Sequence, residues 1–131
     1  MARSVLVVDA DPAARDALVG LFEVEGNHGV AVATVEDATA ALRERSFDLI
    51  IVDLRIASAH DSGLLVLAAA GLLSPYSATI VLAADLSLDD QKASHRLGAT
   101  HLLGKPVDLF AVAALAAEHG VSSALYSAGL A

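Results

Sequence analysis

Residues 4–12 have the sequence SVLVVDADP, which contains the signals of a strand, a turn and a helix start. Residues 4–8 are a continuous apolar run, a pattern typical of a strand buried on both faces of a parallel sheet. Asp11 then provides a helix-capping side chain, and Pro12 a proline suited to the first helical position. The stretch therefore predicts a strand followed at once by a helix, which is the repeating unit of α/β folds.

The same alternation of short apolar runs and longer periodic segments continues to residue 118. Besides 4–8, the predicted strands are 30–33, 49–52, 78–84 and 100–103. The predicted helices are 12–26, 36–45, 63–73, 88–97 and 107–118, with Phe110, Ala113, Ala114 and Ala117 on one face of the last. Residues 56–62 are predicted to be a polar loop. Five strands that alternate with five helices predict an α/β fold with a doubly wound parallel sheet, covered by helices on both faces.

The amino-acid composition limits the number of domains and excludes several classes of function. The 131 residues, 56% of them hydrophobic, suffice for one domain with a buried core and leave no length for a separate output domain. The net charge of −8 disfavours direct binding to nucleic acid, which depends on lysine and arginine. The absence of cysteine excludes disulfides, thiolate zinc sites and a cysteine nucleophile. If the chain is complete, we expect its output to be another protein rather than DNA.

One stretch raises the question of a membrane. Residues 64–84 carry no charge and have nearly the length that a spanning helix needs. However, Pro75 follows Ser74 in the middle and would break a helix there, so that each half suits a buried element of a globular domain. The apolar run before Asp9 is too short for the core of a signal peptide. We therefore expect no membrane association and a cytoplasmic location.

Charged side chains follow several of the predicted strands. Asp9 and Asp11 come directly after the first strand, Asp53 ends the third, and Lys105 follows the fifth. Parallel strands place their carboxyl ends at one edge of the sheet, where ligands bind, so we expect these side chains to converge. Clustered carboxylates suit a hard divalent cation such as Mg²⁺, and a lysine suits a phosphoryl group. The set predicts phosphoryl transfer chemistry, in which an aspartate can itself be the nucleophile.

Four segments resemble the response-regulator receiver domain of two-component signalling, including the chemotaxis regulators. They are VLVVDADPAARDAL (5–18), DLIIVDLR (48–55), ATIVLAA (78–84) and GATHLLGKPVDL (98–109). The resemblance implies a (βα)5 flavodoxin-like three-layer sandwich with a parallel sheet in the order 2-1-3-4-5. It implies a receiver domain over residues 1–118, with 119–131 as a C-terminal tail that either frays or docks on something.

The resemblance also implies roles for single residues. Asp53 matches the acceptor of a phosphoryl group from a sensor histidine kinase or phosphotransfer protein, and Lys105 matches the lysine that contacts this group. A cis peptide bond usually joins that lysine to the following proline, here Pro106. Mg²⁺ would be held by Asp9, Asp53 and the backbone carbonyl of Arg55. Asp11 either reaches the ion or only caps the helix.

Three positions depart from the family pattern. Ala10 stands where a second acidic metal ligand is usual, so that Mg²⁺ binding is expected to be weakened or absent. Ala83 replaces a serine or threonine whose hydroxyl binds the phosphoryl oxygen, and Leu102 replaces an aromatic switch residue. The loop after Asp53 also carries an insertion of one or two residues.

Three functions remain open on these residues. The first is a phosphorylated receiver that signals through a downstream protein partner. Such a domain is not an enzyme in the usual sense, although it catalyses its own phosphorylation and dephosphorylation. The second is a degenerate receiver that acts as a phosphorylation-independent interaction or dimerisation module. The third is a small-molecule-binding domain of the same architecture, which would need a large apolar pocket.

The five histidines show no metal-ligand spacing on one helix face. We therefore predict surface or edge positions for all of them, with His101 of interest because it precedes the switch position. They are His28, His60, His95, His101 and His119.

Overall fold

A computed structural model describes residues 2–59 and 61–130, and in this part of the chain five parallel strands form one sheet in the order β2-β1-β3-β4-β5. The strands are β1 (Ser4–Val8), β2 (His28–Val32), β3 (Leu49–Asp53), β4 (Ala78–Ala83) and β5 (His101–Gly104). The helices are α1 (Pro12–Glu23), α2 (Val35–Glu44), α3 (Ser62–Leu73), α4 (Leu88–Arg96), α5 (Leu109–Glu118) and α6 (Ala124–Ser127). The predicted doubly wound, flavodoxin-like fold and its strand order are confirmed.

The sheet separates two hydrophobic cores, because successive side chains of a strand point to opposite faces. In β1, Leu6 and Val8 belong to the core shared with α2 and α3, whereas Val5 and Val7 belong to the core shared with α1 and α5. All four side chains are fully buried. The continuous apolar runs of the sequence are therefore explained by burial of both faces.

Side-chain caps fix the start of most helices at the carboxyl edge of the sheet. Asp11 accepts a hydrogen bond from the backbone N–H of Ala13 at 3.1 Å and so caps α1, with Pro12 as its first residue. Ser87 caps α4 through the N–H of Asp90 in the same way. Such caps satisfy backbone N–H groups that have no partner inside the helix, and they let each helix begin within a few residues of its strand.

Some predicted boundaries and one predicted face are wrong. β2 starts at His28 instead of residue 30, because its ladder with β1 begins there, and α5 starts at Leu109 instead of 107, after a cap by Asp108. On α5, Phe110 is 52% exposed and Ala114 is exposed. Ala113 is buried as predicted, and the helix also buries Val112 and Ala116. Its uniform run of small apolar residues gave no contrast from which to assign the face.

The predicted polar loop after β3 is partly apolar and ordered. It contains a 3₁₀ turn, Ile56–Ser58, and Ile56 is only 4% exposed because it joins the core under α2 and α3. α3 begins one residue earlier than predicted, at Ser62. His60 lies outside the described residues.

The C-terminal segment docks on the domain. Val121 is fully buried in the core shared with α1 and α5. The side-chain amide of Asn27 donates hydrogen bonds to the carbonyls of Phe22 at 3.0 Å and Ser122 at 2.7 Å, which ties this segment to the end of α1. Of the two outcomes open for the tail, docking is the one found.

The uncharged stretch 64–84 is divided between α3 and β4, with a turn at Pro75. Across residues 2–59 and 61–130, none of the helices has the length and apolar character needed to cross a membrane.

Candidate functional site

Three of the predicted site residues meet at the carboxyl edge of the sheet. Asp9 follows β1, Asp53 ends β3, and Lys105 follows β5. The ammonium of Lys105 donates to Asp53 Oδ2 at 3.0 Å and to Asp9 Oδ2 at 3.3 Å. The sheet therefore brings together one cation and two carboxylates from three separate strands.

The two aspartates are held by backbone groups as well. Asp9 Oδ1 accepts the N–H of Asp11 at 2.9 Å, and Asp53 Oδ1 accepts the N–H of Arg55 at 3.2 Å. Asp9 is only 1% exposed, and the Asp53 side chain is 13% exposed. Each carboxylate oxygen thus has a hydrogen-bond donor, which lowers the cost of keeping two acids under burial.

The environment of Lys105 favours its charged form. Burial by itself lowers the pKa of this lysine, but the hydrogen bonds and negative charges of Asp53 and Asp9 outweigh that effect. The pKa of Lys105 is therefore raised above its ordinary value of 10.5. Lys105 remains an ammonium at neutral pH and keeps its electrostatic hold on both carboxylates.

A cavity of about 240 Å³ opens beside Asp53. It is lined by Asp53, Leu54, Arg55, Ala83, Ala84 and Lys105. Its volume is below the roughly 300–1,000 Å³ of typical small-molecule pockets, and three of its six lining residues are charged. This cavity is therefore not the large apolar pocket that a small-molecule-binding domain would need. Its size and the presence of Lys105 suit a small anion.

The side chains at the three altered positions, Ala10, Ala83 and Leu102, have no hydrogen-bond donor. Ala83 lies in the cavity wall and is 2% exposed, and its methyl group cannot donate a hydrogen bond. Ala10 and Leu102 are partly buried and pack against the core under α2 and α3. Asp11 is exposed, and one of its carboxylate oxygens caps α1.

The side-chain contacts of two arginines near the site were not predicted from the sequence, which singled out only the backbone carbonyl of Arg55. Arg15 of α1 donates to the carbonyl of Asp9 at 2.9 Å and so fixes the end of β1. Arg55 forms a salt bridge of 2.9 Å with Asp90 of α4, which links the loop after β3 to that helix. Nothing local in the sequence indicates this pairing, because Arg55 and Asp90 lie 35 residues apart.

Gly63 sets how closely α3 approaches the end of β3. Its N–H donates to the carbonyl of Leu54 at 2.8 Å. A Cβ at this position would lie 2.6 Å from the Cα of Leu54, closer than real Cβ contacts occur. Ser62 supports the same loop, since its hydroxyl accepts the N–H of Ile56 at 2.6 Å. The segment Asp61-Ser62-Gly63 is therefore a packing element close to Asp53.

The family model described as the response regulator receiver domain matches residues 5–116, which is most of the chain. This chain is a response regulator receiver domain. The response regulator protein FleR of Pseudomonas aeruginosa is 31% identical to it over 124 residues, which are 92% of this chain and 25% of FleR. The receiver domain described here spans about a quarter or less of the length of the curated relatives it matches.

Solved structures agree with this receiver fold. A CheY-like receiver domain protein from Methanospirillum hungatei superimposes with a TM-score of 0.79 at 25% identity, over 92% of this chain and 98% of that one. The beryllofluoride-activated receiver domain dimer of NtrC4 superimposes with a TM-score of 0.75 at 27% identity, over 90% and 95% of the two chains. The Lys105–Pro106 peptide bond of this receiver domain is cis, as its resemblance to the family implied.

Proposed function

We propose that this receiver domain accepts a phosphoryl group on Asp53 from a sensor histidine kinase or phosphotransfer protein, and signals by a changed affinity for a downstream protein. The observation that carries the proposal is the pair formed by Lys105 and Asp53, 3.0 Å apart at the wall of a cavity sized for a small anion. The cavity gives an incoming phosphoryl group access to the carboxylate.

The chemistry follows from these positions. A carboxylate oxygen of Asp53 attacks the phosphorus of a phosphohistidine, the P–N bond breaks, and the histidine leaves with the electron pair. The product is an acyl phosphate on Asp53. The ammonium of Lys105 moves from the aspartate oxygen to the transferred phosphoryl oxygens and offsets their charge, which is the main requirement of phosphoryl transfer.

The donor set suits Mg²⁺ in part. Magnesium in phosphoryl-transfer sites is bound by one or two carboxylates together with phosphate oxygens and water. Asp9 and Asp53 supply two converging carboxylates, and the backbone carbonyl of Arg55 supplies a third oxygen in this proposal. Ala10 supplies none, so we expect weaker binding than a site with adjacent acids would have. When bound, the ion neutralises charge on the phosphoryl group.

Ala83 predicts a further property of the phosphorylated state. In the resemblance that motivates this site, a hydroxyl at this position binds a phosphoryl oxygen, and the alanine side chain cannot replace that hydrogen bond. We therefore expect Ala83→Thr to prolong the lifetime of the acyl phosphate or to tighten binding of its analogue. Residue 83 lies in the cavity wall, so the added hydroxyl would reach the same space.

The test is phosphorylation by acetyl phosphate, followed by intact-protein mass spectrometry, together with beryllofluoride binding followed by ¹⁹F NMR. We expect a Mg²⁺-dependent signal in the native protein and its loss in Asp53→Asn. Asp85→Asn is the matched control, because Asp85 is an exposed acid after β4 and should keep the signal. A native protein without a Mg²⁺-dependent signal, or an Asp53→Asn variant that retains it, would contradict the proposal. Asp11→Asn decides whether Asp11 contributes to the ion or only caps α1.

A second candidate is the phosphorylation-independent interaction module. It is favoured by the fact that Lys105 already donates hydrogen bonds to both carboxylates, so that each of their oxygens has a donor in the unmodified protein. The same experiment separates the two candidates. If beryllofluoride does not bind, partner affinity should be equal in the native protein and in Asp53→Asn.

The proposed homodimer is supported by a similar receiver domain. The NtrC4 receiver is described as a dimer in its beryllofluoride-activated form, which supports a homodimer as one output of this domain. We place the protein in the cytoplasm, where its kinase would act, and assign it no direct contact with nucleic acid or membrane. Size-exclusion chromatography with and without beryllofluoride tests the dimer.

A further inference from the structure

A second polar cluster lies at the opposite edge of the sheet from Asp53. His101 is the first residue of β5, Glu118 is the last residue of α5, and His119 caps that helix at its C-terminus. Because α5 runs back antiparallel to β5, the end of the helix returns to the start of the strand. Four residue steps of a strand separate His101 from Lys105, which corresponds to roughly 13 Å. The cluster is therefore spatially distinct from the proposed phosphoryl site.

The side-chain atoms of this cluster that could bind a metal lie close together. The Nε2 atoms of His101 and His119 lie 2.9 Å apart, and Glu118 Oε2 lies 4.0 Å from Nε2 of His101. Each of the three side chains offers one donor atom, and all of these atoms lie within 4.8 Å of one another. Donor atoms around a tetrahedral zinc ion with bonds of 2.0–2.1 Å are about 3.3 Å apart, so small side-chain movements would suffice.

We propose that His101, Glu118 and His119 form a binding site for a divalent transition metal of the Zn²⁺ class, which fastens the end of α5 to the start of β5. Two imidazole nitrogens and one carboxylate oxygen are ligands that zinc accepts, with water in the fourth position. The same set is unsuited to Mg²⁺, which prefers oxygen ligands. The site is therefore chemically distinct from the carboxyl edge as well as separate from it.

The surroundings of the cluster give the ion access from solvent, and Asp48 offsets the positive charge of the nearby Arg3. The side chain of His101 is 22% exposed and that of Glu118 is 63% exposed. A water-accessible hollow of about 370 Å³ borders His119 and extends to Asp48 and Arg3. The guanidinium of Arg3 is the nearby opposing charge, but it lies 3.5 Å from the carboxylate of Asp48, which offsets it. An ion entering from solvent would thus meet one carboxylate and two facing imidazoles.

Without a metal, the two imidazoles can share only one hydrogen bond, in which one Nε2 donates and the other accepts. A metal would replace that single contact with three bonds that span residues from a strand and a helix. Because the folded protein assembles the site and the unfolded chain does not, binding would also stabilise the fold. This gives the proposal a readout that does not depend on signalling activity.

The test is isothermal titration of the untagged protein with ZnCl₂, combined with thermal unfolding in the presence and absence of the metal. We expect one Zn²⁺ per chain and a rise in the unfolding temperature. His101→Gln and His119→Gln should each weaken binding at least about tenfold and remove the thermal shift. His95→Gln is the matched control, since His95 is an exposed histidine on α4 and should change neither quantity.

Two results would overturn the proposal. One is the absence of stoichiometric binding to the native protein. The other is unchanged binding in the double variant of His101 and His119, which would show adventitious surface binding only. If either histidine variant fails to fold, Glu118→Gln provides the third ligand test, with the expectation of a smaller loss. Zn²⁺ binding in Asp53→Asn should equal that of the native protein, so this outcome is independent of the proposed phosphorylation.

Discussion

The two edges of the sheet handle buried polar groups in different ways. At the carboxyl edge, defined here by Asp9, Asp53 and Lys105, one ammonium lies within hydrogen-bond reach of two carboxylates. At the amino edge, away from the cluster of His101, Glu118 and His119, the pair formed by Thr79 and Thr100 contains only neutral polar groups. Each threonine hydroxyl accepts the backbone N–H of the other residue at 3.0 Å, which closes the start of β4 against β5.

The carboxyl edge has the features of a ligand-binding site, whereas the pair of Thr79 and Thr100 only joins two strands. The reciprocal threonine pair satisfies its own backbone groups and leaves no unbalanced charge to attract a ligand. The carboxyl edge has two carboxylates and one ammonium, so a net negative charge remains, and a cavity borders it. Such an arrangement costs stability unless every charge is paired, and it is kept where charge chemistry is needed.

The largest effect is expected from removing the cation of the carboxyl edge. Lys105→Met leaves two buried carboxylates without their common partner, and we expect it to lower the free energy of unfolding by about 3–5 kcal/mol. Asp53→Asn leaves Asp9 and Lys105 as a balanced pair, and should change stability by less than about 1 kcal/mol. Urea denaturation of both variants at neutral pH measures the contrast. Equal losses in the two variants would show that charge balance does not govern this edge.

A smaller effect is expected at the amino edge. Thr79→Val preserves the shape of the side chain but removes one of the two acceptors of the Thr100 N–H, which keeps the backbone carbonyl of Thr79 at 3.1 Å, and it also removes the hydrogen bond from the hydroxyl to the carbonyl of Gly98, at a cost of about 0.5–1.5 kcal/mol. The control is Thr39→Val on α2, whose hydroxyl only bonds the carbonyl one turn earlier and whose loss should be nearly neutral. Beryllofluoride binding should be unchanged in Thr79→Val. A loss of binding there would mean that the two edges are coupled.

The smallest effect concerns alkaline pH. Because the pKa of Lys105 is raised in the folded protein, its contribution to stability is fully present below pH 10.5 and is lost as the pH rises through the raised value. Asp53→Asn removes the largest of the influences that raise this pKa, so the alkaline loss should be smaller in that variant. Unfolding midpoints from neutral pH to well above pH 10.5 test this. Identical alkaline profiles would contradict the assignment of the raised pKa to Asp53.

Much of the fold and of the carboxyl edge could be predicted from local pattern. The apolar runs ending in Asp9 and Asp53, and the position of Lys105 after the fifth run, indicated both the sheet and the edge at which these side chains meet. The cluster at His101 and His119 could not be predicted in this way. The two histidines are 18 residues apart on different elements, and no helical or strand period links them.

Three features could be predicted from the amino-acid sequence: the alternation of strands and helices, the burial of both faces of the sheet, and the edge that carries the charges. Each of these depends on residue type and local period, which act over a few neighbouring residues. The individual contacts between distant side chains became visible only in the folded structure. Arg55 meets Asp90 across 35 residues, and Asn27 holds the C-terminal segment through Ser122 across 95. Contacts of this kind depend on how the helices pack on the twisted sheet, and no local pattern encodes that geometry.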